Sequence, residues 1–125
     1  MAEGCRIREL PDGSREFVLD DPALASIQID RQSTLNFGRT EVVIGSPFVL
    51  ERDGLVHHLS PLRPAGLGPL VALYPGSARW LWTSAEGALT VVFDDGARLT
   101  VPPHPVDPAW SVGNVVARSG PEPPA

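Results

Sequence analysis

A chain of 125 residues that is 42% hydrophobic and 20% charged has the size and make-up of one globular domain, which excludes whole-chain disorder. Its net charge of −5 repels phosphate backbones, and without a run of adjacent basic residues it lacks a nucleic-acid patch. All ten basic residues are arginine, so Schiff-base catalysis, a lysine general base and a Walker-type phosphate loop are excluded.

At the start of the chain, MAEGCRIREL contains no apolar h-region, and no later segment approaches ~18 consecutive apolar residues. The expectation is a cytoplasmic protein that does not engage a membrane. Cys5 is the single cysteine, so no intramolecular disulfide forms; it sits near a terminus expected to fray, with no nucleophile signature around it. Residues 1–14 read as an N-terminal arm. Within it, Ile7 can start an edge strand and Pro11 to Ser14 is a turn.

Residues 15–118 read as one β-rich domain. Ile27 and Ile29, Leu35 and Phe37, then Val42 and Ile44 each mark one face of a short strand. The pattern returns at Trp80 and Trp82, at Leu89, Val91 and Phe93, and at Leu99 and Val101. The segments SIQIDRQSTLNFGRTEVVIGSPF and RWLWTSAEGALTVVFDDGARLTVPP run through the same order. Each has a strand, a polar turn, a strand ending in Phe, a tight turn, a strand and a proline stop. The fold class expected is α+β, mostly β, with two antiparallel three-stranded meanders in halves 15–59 and 77–118. Duplication is one explanation and the general similarity of meanders the other; duplication makes Phe37 equivalent to Phe93 and Leu35 to Val91. Linker 60–76 is broken by Pro61 and Pro64, after which Pro69 to Leu73 opens one short helix with Gly76 near its end. The tail 119–125, SGPEPPA, has little to bury and is expected to be disordered.

The stretch FDDGARLTVPPHP combines two carboxylates, a glycine and a histidine between prolines. Leu89, Val91 and Phe93 must share a face with Leu99 and Val101, and residues opposite in an antiparallel pair share a face. A two-residue loop would set Phe93 against Arg98. A three-residue loop, Asp94, Asp95 and Gly96, pairs Phe93 with Ala97 and Val91 with Leu99, with Gly96 at positive φ. The aspartates are read as turn formers, since calcium loops need several spaced oxygen ligands.

No catalytic or metal site and no cofactor motif emerges. His57 and His58 are adjacent on a strand and point to opposite faces. Neither H-x-x-x-H, G-x-S-x-G nor a dinucleotide fingerprint occurs. Trp80 and Trp82 are expected to fill the core. Trp110 is left between core and interface, and with His104 and Asp107 it forms the candidate partner-binding group.

The residues FDDGARLTVPPHPVDPAW, with IDRQSTLNF and EVVIGSPFVL, resemble a family of uncharacterised proteins from high-GC Gram-positive bacteria, known only as a domain of unknown function. The resemblance covers about residues 18 to 115 and implies a fold and an origin but no mechanism. The linker SPLRPAGLGPL departs from the acidic segment expected there. The first functional reading is a non-enzymatic protein-binding module, one form of which is an immunity-type protein that neutralises a toxin. The alternative is a small-ligand carrier or enzyme with a pocket between the two halves.

Overall fold

A computed structural model describes residues 5–104, 108–113 and 115–116. Over these residues the chain forms β1 (Cys5–Glu9), β2 (Arg15–Leu19), β3 (Ser26–Ile29), β4 (Ser33–Phe37), β5 (Thr40–Ile44), β6 (Phe48–Arg52) and β7 (Leu55–Leu59). A 3-10 turn at Pro64–Gly66 and a one-turn helix α1 (Gly68–Val71) come next. The chain continues through β8 (Ala78–Thr83), β9 (Leu89–Phe93), β10 (Arg98–Val101), β11 (Trp110–Val112) and β12 (Val115–Val116). The protein is therefore mostly β. Among the described residues, no helix is long and apolar enough to cross a membrane. The tail 119–125 lies outside the described residues.

Two antiparallel sheets form, in the orders β1-β2-β8-β9-β10-β6-β7 and β12-β11-β5-β4-β3. The first meander, β3-β4-β5, builds the five-stranded sheet and the second, β8-β9-β10, the centre of the seven-stranded one. The hairpin β6-β7 leaves the first meander after Pro47 and joins the second, pairing Leu50 with Leu99. Residues 5–9, whose place the sequence left open, form the edge strand β1, and Cys5 is buried across from Leu19. Cys5 is thus held in the sheet where a frayed terminus was expected.

One hydrophobic core takes side chains from both sheets. Leu35, Phe37, Val42 and Ile44 project from one sheet; Val91, Phe93, Leu99 and Leu50 project from the other. Burying each such side chain contributes roughly 1.5–3 kcal/mol, and their alternation is what selects strands here. Phe37 and Phe93 meet across the layers with ring centroids 6.4 Å apart, tilted by 33°. Their burial is equivalent, yet the meanders close differently. Phe37 pairs with Thr40 around a two-residue loop that starts with Gly38. Phe93 is followed by three loop residues.

In that second loop the Phe93 N–H donates to Ala97 O at 2.8 Å and the Gly96 N–H to Phe93 O at 3.0 Å. Val91 stands opposite Leu99, and Gly96 has φ 90°. Asp95 Oδ1 accepts the Ala97 N–H at 2.9 Å, the side-chain turn that suits aspartate to this position. The loops Pro11 to Gly13 and Ala85 to Gly87 repeat the same pair of backbone bonds and end on glycines at φ 89° and 97°. In the linker, Pro69 sits in the first turn of α1 and Leu70 is buried, but the helix ends at Val71, a single turn.

Gly96→Val is expected to destabilise the fold by about 1–3 kcal/mol. A Cβ there meets nothing within 4 Å, so the cost is backbone strain alone. Asp95→Asn keeps the turn and loses only the partly exposed ion pair from Arg52 at 2.7 Å, a loss of about 0–1 kcal/mol. Urea melts of both variants check this. A Gly96→Val protein that melts like wild type contradicts the turn assignment.

Candidate functional site

Strand β8 reads Ala-Arg-Trp-Leu-Trp-Thr, with apolar residues available to both of its faces. The register places Leu81 opposite Val91, in the core row, and so sends Trp80 outward opposite Val92 and Trp82 outward opposite Thr90. A bulge between Ala78 and Trp80 lets Ala78 point inward as well. The expectation that both tryptophans fill the core is therefore corrected. Trp80 is 50% exposed and Trp82 is half-buried. The sequence misled because alternation shows that two faces differ without showing which one meets the core.

The outer face of the seven-stranded sheet is consequently apolar around Trp80. Val18, on the neighbouring β2, is 37% exposed, and Val92, paired with Trp80 on β9, is half-buried; Val56, 55% exposed, lies on the far edge strand β7. Two arginines lie over the indoles: the Arg79 guanidinium is 4.8 Å from the Trp80 ring centroid and that of Arg98 5.6 Å from the Trp82 ring. Such cation–π contacts hold long side chains flat against the sheet.

Beside the tryptophans opens a groove of about 560 Å³. The β1–β2 loop and the β8–β9 loop wall it, contributing Asp12 from one and Glu86 from the other, and Glu16 joins them from β2. Glu16 stands directly across from Trp82. Asp12 Oδ1 accepts hydrogen bonds from the hydroxyl and the backbone N–H of Ser14. These bonds, the hydroxyl's first, hold the Asp12 carboxyl below its ordinary pKa. Among the described residues, Glu16 and Glu86 form no ion pair or side-chain hydrogen bond.

Trp110 is placed elsewhere. It lies opposite Ile44 on the inward face of the five-stranded sheet, is 4% exposed, and donates its Nε1–H to Gly87 O at 2.9 Å. Parity again decides, since Trp110 and Val112 continue the inward rows of Ile44 and Val42. Of the two places the sequence left open for Trp110, core and interface, its ring occupies the core, where it ties the β8–β9 loop, and with it Glu86, to the other sheet. His104 is half-buried, and Asp107 lies outside the described residues. His57 and His58 do face opposite ways, His57 half-buried and His58 exposed. Among the described residues, no three His, Cys, Asp or Glu side chains gather into a set able to hold a metal. The groove residues escaped sequence reasoning because Asp12 and Glu16 are distant in sequence from Trp80 and Glu86. The available signal was the surplus of apolar residues in RWLWT.

The model of a family of unknown function (DUF6188) matches residues 16–117, and the chain belongs to that family. No curated protein and no solved structure matches it.

The two tryptophan environments predict opposite responses to truncation. Trp110→Ala should cost about 3–5 kcal/mol, the loss of a large buried ring. Trp80→Ala should cost about 1 kcal/mol or less. Denaturant unfolding of the two variants measures the difference, and equal costs contradict the assignment of faces.

Proposed function

We propose that this member of the DUF6188 family is a non-enzymatic protein-binding module that docks through the outer face of its seven-stranded sheet. The observation that carries the reading is Trp80, half exposed between strands that carry Val18 and Val92, with Arg79 stacked on its ring and Arg98 on that of Trp82. Tryptophan and arginine are the residues that most often dominate binding energy at protein interfaces. A large aromatic held out of the core costs the free chain a hydrophobic burial that a partner restores.

An enzymatic reading draws less support. Of the groove's carboxylates, Asp12 is held ionised by Ser14, the reverse of the raised pKa a general acid needs at neutral pH. A pocket between the two halves is also disfavoured, because Phe37 and Phe93 fill the layer between the meanders and the groove lies on the outside. The specific form of the binding reading is a cytoplasmic immunity-type protein, for which an acidic surface is suited to a basic toxin. The arginine-only basic set and 14 prolines favour an origin in a high-GC Gram-positive bacterium.

The test is a photo-crosslinking amino acid installed at position 80, and separately at Ile29 on the other sheet, expressed in the native host. The expected result is one stoichiometric protein adduct from position 80 only, with a purified complex weakened at least about tenfold by Trp80→Ala. Equal crosslinking from both positions, or an affinity unchanged by Trp80→Ala, overturns the docking face.

A further inference from the structure

The groove at the end of this face is chemically more selective than the apolar surface around Trp80. Three of the residues lining it are acids, Asp12, Glu16 and Glu86, and none is basic. Two indoles, Trp80 and Trp82, line it as well. Resting on the docking face described above, we propose that the groove receives an arginine side chain of the partner protein.

Each part of the groove suits a guanidinium. The negative face of an indole attracts a cation, and both rings already hold this geometry with guanidinium groups of the chain itself, Arg79 and Arg98. Ionised carboxylates accept the planar fork of N–H donors that arginine presents, and the methylene stem packs against aromatic surface. Glu16 and Glu86 have no cation paired to them among the described residues, so their charge is open to an incoming one. Asp12 adds a charge that Ser14 keeps in its ionised form. The chain's net charge of −5 draws a basic partner toward the face before contact. A sugar would also stack on indoles and donate its hydroxyls to the carboxylates, but the three charged groups of the groove are acceptors only, so they offer nothing to a sugar's acceptor oxygens, and a neutral sugar brings no charge to match theirs.

The three tryptophans make the test internal to one sample. In a titration of the isotope-labelled protein with N-acetyl-arginine amide, the indole N–H signals of Trp80 and Trp82 should shift saturably. The Trp110 signal, held by Gly87 O, should stay fixed. The citrulline analogue, which has the same shape without the charge, should give no saturable shift. Glu16→Gln and Glu86→Gln should each weaken arginine binding by about two- to fivefold, as expected for exposed charge pairs. Equal binding of the citrulline compound, a neutral oligosaccharide binding as well as the arginine compound, or shifts scattered away from Trp80 and Trp82 would each overturn the proposal. Failure here with a position-80 adduct intact leaves the docking face standing and removes only its occupant; loss of the adduct removes the face itself.

Discussion

A strand has two faces, and the pairing of Leu81 with Val91 assigns both of them for β8. With leucine directed into the core, Trp80 and Trp82 have no inward position to take, and the most aromatic segment of the chain becomes surface. Everything proposed about function follows from that one register. A slip by a single residue would bury both indoles and expose Leu81, a change whose cost spans several buried side chains at roughly 1.5–3 kcal/mol each. The core on the inner side, from Leu50 through Leu99 and Val91 to Leu81, fixes the register firmly, and the outer face is its consequence.

The groove is then shaped by turns. The loops before Ser14 and after Ser84 share one backbone form, a three-residue connection closed by a glycine at positive φ. One presents Asp12 and the other Glu86 at the same end of the sheet. Trp110 supports the second loop from the opposite layer by donating to Gly87 O. A buried indole N–H without a partner would be costly, so this bond serves the tryptophan and the loop together. The core and the groove are linked through it.

Much of the fold was legible in the sequence where a single physical argument sufficed. The three-residue turn at Asp94 to Gly96 follows from face parity alone, and the two meanders follow from alternation. Parity failed at Trp80 and Trp82 because RWLWT is apolar on both sides. Only the partner strand could decide, and it chose the smaller leucine. Trp110 and Val112 carried a readable alternation, but three residues among prolines and glycine make a short signal. The groove itself was not legible, since it joins two hairpin loops some seventy residues apart that a long crossover brings to adjacent strands, β2 and β8. The transfer of β6-β7 to the second meander was hidden for the same reason: strand order is set by long-range pairing.

On β8, Trp80 is half exposed and Trp82 partly so, both beside the carboxylates of Glu16 and Glu86, which are unpaired among the described residues. Quenching of tryptophan fluorescence by caesium and by iodide at matched ionic strength reads exposure and local charge together. The structure predicts that caesium quenches more strongly than iodide, with a resistant remainder from Trp110. Stronger quenching by iodide, or emission that neither ion reaches, would contradict it.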